Sequence, residues 1–132
     1  MSTMATKTVR DIMNAKVLYI SHGERPSLAR RHILSFGITA VPVLDETHRP
    51  VGVISLRDLE RSGDEVQPPA IVATVKETDT VEEGAKKLAA TEYHHLVVVD
   101  TKGVAVGMVS SMDFLRALLG LEPRHPKAFD EV

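Results

Sequence analysis

Two serine–aspartate pairs have the residue types and spacing of a ligand-binding helix start. Ser55 lies three residues before Asp58, and Ser110 lies three residues before Asp113. Each pair follows an apolar run that predicts a strand and opens a segment that predicts a helix. Free N–H groups at a helix N-terminus attract phosphate, and a carboxylate can accept two hydrogen bonds from the vicinal diol of a ribose. The same spacing is also typical of a helix cap that needs no ligand.

The two pairs, which we call the first and second closing motifs, belong to a repeat. The displacement of 55 residues that relates Asp58 to Asp113 also relates Gly52 to Gly107 and holds across most of the chain. A fixed period makes each copy one structural unit. A glycine within a strand often marks a close approach by another backbone or by a ligand. Because neither copy has enough apolar residues for its own core, we expect function where the two copies meet.

Both copies predict the order strand, helix, strand, strand, helix, and in the first copy a short helical or turn-like lead at 8–13 precedes it. In the first copy these elements are predicted at 16–20, 26–36, 40–44, 51–54 and 56–61. In the second copy they are predicted at 71–75, from 81 onward, and at 96–99, 104–109 and 113–119. Thr80 and Glu83 have the spacing of a capping box. We therefore predict an α+β fold in which two similar sheets, related by an approximate twofold, pack against each other.

Composition narrows the function classes. The chain has 132 residues, 43% of them apolar, and a net charge of −2, which argues against nucleic-acid binding. Aromatic residues make up only 4% and cysteine is absent, so stacking platforms, disulfides and thiolate sites are not expected. No apolar run approaches the length of a membrane span. We expect a short flexible leader at 1–7 and a cytoplasmic protein without a membrane partner.

The order of these motifs resembles a tandem pair of cystathionine-β-synthase (CBS) domains, the Bateman module. The resemblance rests on three features: the lead Asp11-Ile12-Met13, the segment from Gly37 to Val43 before an acidic turn, and the two closing motifs. It implies CBS repeats at 9–61 and 69–119, a linker at 62–68 and a C-terminal tail at 120–132. The second copy departs from the first, with Glu92 at the position of Gly37. The two sites are therefore expected to differ in their contacts to a base.

The resemblance implies a regulatory module that binds an adenosine-containing ligand (AMP, ADP, ATP, NAD or S-adenosylmethionine) in clefts between the repeats. It implies no required cofactor, with AMP or ATP as the favoured regulatory ligand, a homodimer, and an effector protein that receives the signal. The closing motifs would hold ribose and phosphate through Ser55, Asp58, Ser110 and Asp113. The base would be held by Thr39, Ala40 and Val41 in one half and by His94, His95 and Leu96 in the other.

Four further expectations complete the sequence-based interpretation. The alternative function is a ligand-independent dimerisation or protein-interaction module in which the closing motifs act only as caps. No catalytic motif is present, so we expect no enzyme and no catalytic residue. Neighbouring residues on a strand point to opposite faces, so we expect no metal site at His94 and His95, and only one of them in the cleft. Arg57 and Arg61 near the first closing motif, and Arg116 near the second, are placed to neutralise phosphates or to pair with carboxylates of a second subunit.

Overall fold

The computed structural model describes residues 7–16, 18–36, 40–62 and 73–125. The first half of this part of the chain contains α1 (Val9–Ile12), β1 (Ile20–Ser21), α2 (Pro26–Phe36), β2 (Ala40–Leu44), β3 (Pro50–Ser55) and α3 (Leu56–Ser62). The second half contains β4 (Thr74–Lys76), α4 (Val81–Ala89), β5 (His95–Val99), β6 (Ala105–Ser110) and α5 (Ser111–Leu118). Within this described part, no helix is long and apolar enough to cross a membrane.

The predicted repeat of strands and helices is confirmed. Each half forms a three-stranded sheet, in the orders β1-β2-β3 and β4-β5-β6. In both sheets the first pair of strands is parallel and the second pair is an antiparallel hairpin. The prediction of a strand at 16–20 is wrong, because β1 covers only Ile20–Ser21. The chain turns before it: the Asn14 side chain accepts a hydrogen bond from the Lys16 backbone N–H at 3.0 Å.

Each sheet has one face toward helices and one face toward the other sheet. Val41 and Ile54 lie opposite each other on β2 and β3 and form a buried cluster with Ile33 of α2 and Leu59 of α3. Because side chains alternate along a strand, Val53 points to the other face. There it packs against a second buried cluster of Val97, Val99 and Met108. The predicted sheet-to-sheet packing is therefore confirmed.

The N-terminal lead packs on the second half of the chain, although it precedes the first sheet in sequence. Val9 and Ile12 are buried in the same cluster as Phe114 of α5. The Val9 N–H donates to the Asp79 carbonyl at 2.8 Å, and the Val81 N–H donates to the Lys7 carbonyl at 3.1 Å. Residues 7–14 thus complete the core of the second repeat.

The capping box predicted at the start of α4 is confirmed. The Glu83 N–H donates to Thr80 Oγ1 at 3.1 Å, and the Thr80 N–H donates to Glu83 Oε1 at 3.3 Å. The helix that follows packs closely on its neighbours: a Cβ at Gly84 would stand 2.9 Å from Phe114 and 2.9 Å from Val9. Glycine at this position lets α4 approach α5 and the lead.

Candidate ligand-binding cleft

Both closing motifs form reciprocal helix caps. The Ser55 N–H donates to Asp58 Oδ2 at 3.0 Å and the Asp58 N–H returns a bond to Ser55 Oγ at 3.1 Å. The corresponding distances between Ser110 and Asp113 are 2.9 and 3.1 Å. The caps expected under the alternative interpretation are therefore present in both copies. Each cap uses only Oδ2 of its aspartate, so the other carboxylate oxygen can have a second role.

A cavity of about 940 Å³ lies between the two repeats. Its size is within the range of small-molecule sites. The first repeat contributes Ala40, Val53, Ser55, Leu56, Arg57, Asp58 and Glu60, and the second half of the chain contributes Ala73, Glu92, Tyr93, His94, His95, Ser110, Ser111 and Met112. Both closing motifs thus reach one continuous space, where the sequence predicted separate clefts.

Strand register explains why predicted site residues meet at this cavity. Ala40 begins β2 and lies directly opposite Ser55, the last residue of β3. His95 begins β5 and lies directly opposite Ser110, the last residue of β6. Residues that face each other in an antiparallel pair share one face of the sheet, with Cβ atoms about 4.5–5.5 Å apart. Each hairpin therefore places the start of its middle strand beside its closing serine.

Two of the predicted base-contact residues, Val41 and Leu96, have side chains that do not line the cavity. Val41 is fully buried and Leu96 is 1% exposed, each in the cluster under the helices of its own repeat. Because they alternate with Ala40 and His95, their side chains point away from the cavity. Only their backbone is left for contact with a ligand. Thr39 lies outside the described residues.

Both neighbouring histidines line the cavity, contrary to the expectation that only one would do so. The strand alternation behind that expectation does not apply, because β5 begins only at His95 and His94 precedes it. Burial holds the pKa of His95 below its usual value; the Asp113 carboxylate opposes this shift, and His94 adds to it. A neutral imidazole at His95 can both donate and accept a hydrogen bond in the cleft.

The two ends of the cavity differ in chemistry. Arg57, in the first turn of α3, lines one end, and Met112 occupies the equivalent position at the other. Tyr93 is half exposed and also lines the cavity, and sequence reasoning missed it. Its position directly before His94, as an aromatic residue at the edge of a predicted strand, was the available signal. Among the described residues, no group of three or more His, Cys, Asp or Glu side chains is arranged to hold a metal ion.

Solved structures with the same fold are CBS-pair proteins. CBSX2 from Arabidopsis thaliana, solved in complex with AMP, superposes with a TM-score of 0.75 at 24% identity, covering 86% of this chain and 97% of that one. The CBS domain pair of MJ0100, solved with 5′-methylthioadenosine and S-adenosyl-L-methionine, also gives 0.75 at 24% identity, covering 88% and 98%.

A curated relative in sequence is named homoserine O-acetyltransferase, from Methanosphaerula palustris. It is 28% identical over 122 residues, which are 87% of this chain but 24% of the relative. The chain therefore spans about a quarter of the length of that protein.

The family model described as "CBS domain" matches the chain twice, at residues 9–64 and 67–120. The two matches together cover most of the chain, and they correspond to the two halves that fold as similar sheets and helices around the cleft. The chain belongs to the CBS domain family, as a tandem pair of repeats.

Proposed function

We propose that this chain is a regulatory module that binds an adenosine-containing ligand in the cavity between its repeats. The observation that carries the proposal is a single cavity of about 940 Å³ reached by both closing motifs. The ligand would bind one arrangement of the two repeats more tightly than another, and this difference in affinity would shift the equilibrium between them. An effector protein would bind according to that shift. We expect no chemical change in the ligand. A cytoplasmic location stays a prediction, with which the cysteine-free sequence is compatible.

Asp58 is the residue that would bind the ribose of the ligand. Its Oδ2 is held by the Ser55 N–H, and within the described part of the chain no hydrogen bond engages its Oδ1. Asp58 also lines the cavity. A carboxylate oriented through one oxygen presents the other as an acceptor for a ribose hydroxyl, as acidic residues do in dinucleotide-binding folds.

Arg57 favours a ligand that carries phosphate. Its side chain is exposed and lines the cavity one residue from Asp58. Guanidinium groups bind phosphate in a bidentate fashion, and such charge-assisted bonds are about twice as strong as neutral ones. The phosphate-bearing ligands AMP, ATP and NAD therefore rank ahead of S-adenosylmethionine in this proposal. AMP in CBSX2 and S-adenosylmethionine in MJ0100 show that both kinds of ligand occur on this fold.

The test separates ligand binding from helix capping at the same residue. Asp58→Asn keeps an amide oxygen that can accept the Ser55 N–H but replaces the second carboxylate oxygen with a donor. We expect calorimetric titration with AMP to show binding about 10- to 100-fold weaker, since a hydrogen bond to a charged group contributes about 1.5–3 kcal/mol. The stability of the variant should stay close to that of the wild type.

Asp58→Ala is the matched comparison, because it removes the ligand acceptor together with the carboxylate that caps the Ser55 N–H, while Ser55 Oγ still accepts the backbone N–H of residue 58. It should lose affinity and also about 1 kcal/mol of stability in urea unfolding. A titration in which AMP, ATP, NAD and S-adenosylmethionine all give no heat with wild-type protein would contradict the proposal. So would an Asp58→Asn variant that binds AMP as tightly as the wild type.

The second candidate function, dimerisation without a ligand, is favoured by one surface. Leu115, Leu118 and Leu119 lie on one side of α5 and its C-terminus, and each is at least half exposed. Apolar residues three and four positions apart form a continuous stripe, and exposed stripes of this kind are typical of interaction sites. We propose that α5 packs against a second copy of the chain, with or without a ligand.

Sedimentation equilibrium tests the dimer. The double substitution Leu115→Lys and Leu118→Lys should turn a dimeric wild type into a monomer, because two charges would be buried unpaired in the interface. Thr101→Lys, on the exposed turn between β5 and β6, is the control and should leave the dimer intact. A monomeric wild type at micromolar concentration would contradict the dimer proposal, and an AMP-binding monomer would favour the first function alone.

A further inference from the structure

The closing motifs are alike within their caps but differ in their surroundings. Asp58 lines the cavity, whereas Asp113 is only 7% exposed and does not. The oxygen of Asp113 that the cap leaves unused faces the C-terminal segment: His125 Nδ1 lies 3.8 Å from Asp113 Oδ1. The group equivalent to the predicted ribose acceptor is therefore already covered by the chain itself.

The fold brings His125 back to the start of α5. Gly120 has a φ of +75°, in the left-handed region that favours glycine. The Gly120 N–H donates to the Ala117 carbonyl at 3.1 Å and the Leu121 N–H donates to the Arg116 carbonyl at 2.8 Å. These two bonds form a Schellman motif, which ends the helix and reverses the chain.

A side-chain contact then holds the reversed segment against the helix. Arg116, in the last turn of α5, donates through Nε to the Glu122 carbonyl at 2.7 Å. Three residues further on, His125 reaches the first turn of α5 with its side chain 27% exposed. Residues 120–125, which we call the cover, therefore run antiparallel to α5 from its C-terminus to Asp113.

We infer, on the basis of the proposed function, that the cleft holds one ligand. This ligand binds at the first closing motif, because the cover occupies the second closing motif. An intramolecular competitor acts at an effective concentration of about millimolar, so an adenosine ligand must displace the cover to reach Asp113. Its apparent affinity there falls in proportion to the fraction of molecules in which the cover is open. Met112, in place of Arg57, also offers no charge to a phosphate at this end.

Equilibrium dialysis with AMP tests the inference through stoichiometry. Wild-type protein should bind one AMP per chain, and this binding should be weakened in Asp58→Asn but kept in Asp113→Asn, whose cap is preserved. His125→Ala should raise the stoichiometry to two, and adding Asp113→Asn to it should bring the value back to one. His22→Ala, in the exposed turn after β1, is the control and should stay at one.

A second variant tests the same inference in case His125→Ala does not fold. Arg116→Met removes the contact with Glu122 and should also give a second AMP per chain, with a normal melting curve as the check on folding. Two AMP per wild-type chain would overturn the inference and leave the proposed function standing. A stoichiometry of one in both His125→Ala and Arg116→Met would also overturn it. Wild-type protein that binds none of AMP, ATP, NAD and S-adenosylmethionine would overturn both proposals.

Discussion

Replacing Gly107 with alanine should destabilise the fold by pushing the N-terminal lead away from β6. A Cβ at this position would stand 2.7 Å from Met13 Sδ and 2.8 Å from the Asn14 carbonyl oxygen. Both distances are shorter than real contacts of a Cβ atom. The close approach that a glycine within a strand predicts is therefore made by another segment of backbone.

The two obstacles differ in how easily they move. Met13 is flexible and its sulfur can turn aside. The Asn14 carbonyl accepts the Met108 N–H at 3.0 Å, and the Asn14 N–H donates to the Met108 carbonyl at 2.8 Å. The oxygen of Asn14 cannot withdraw without lengthening this pair of bonds. The backbone, and not the sulfur, therefore decides the effect of the substitution.

The expected loss is about 2 kcal/mol. Overpacking contributes about 1–3 kcal/mol and a weakened backbone hydrogen bond about 1 kcal/mol. Alanine offsets about 0.5–1 kcal/mol of this, since it restricts the unfolded chain more than glycine does. With a urea m-value of about 2 kcal/mol/M, the unfolding midpoint of Gly107→Ala should fall by about 1 M.

Urea unfolding of a double variant separates the two obstacles. In a Met13→Ala background, Gly107→Ala should still remove at least about 1 kcal/mol, because the Asn14 carbonyl stays in place. A single variant as stable as the wild type would refute the reasoning and would mean that the lead does not pack against β6. If Gly107→Ala costs no stability in the Met13→Ala background, the Met13 sulfur is the obstacle instead.

Three further predictions concern pH and capping. Burial lowers the pKa of His95 in the folded state, and the opposing effect of the Asp113 carboxylate is smaller. Folding stability should therefore fall as pH drops below 6.5, by at most about 1.4 kcal/mol per pH unit. Urea unfolding of His95→Gln should show a smaller fall in stability over the same pH range. Burial raises the pKa of Asp79, but the hydrogen bond from the Lys87 ammonium and further hydrogen bonds lower this pKa overall. The resulting stabilisation of the folded state should be lost as pH falls from about 3.8. In Lys87→Met the loss of stability over this pH range should be smaller. Thr80→Ala should remove about 1 kcal/mol of stability by deleting the cap of α4, and an unchanged urea midpoint would contradict this.

Much of the fold could be predicted because its signals are local or periodic. Short apolar runs predict the strands, and helical spacing with Gly37 after it predicts α2 at 26–36, where the structure places it. The Thr80–Glu83 box forms within four residues, so sequence spacing alone specifies it. The first strand was misplaced because a short extended run carries no signal for the turn at Asn14.

The candidate site could be predicted only in part. The repeat by itself determined that two serine–aspartate motifs begin two equivalent helices, because their caps are made between residues three apart. The tertiary structure alone decided that both motifs open on one cavity and that His125 covers Asp113. It alone decided that residues 7–14 complete the second repeat. These outcomes depend on contacts between distant segments, and the spacing of residues along a chain does not encode which distant segment packs against which.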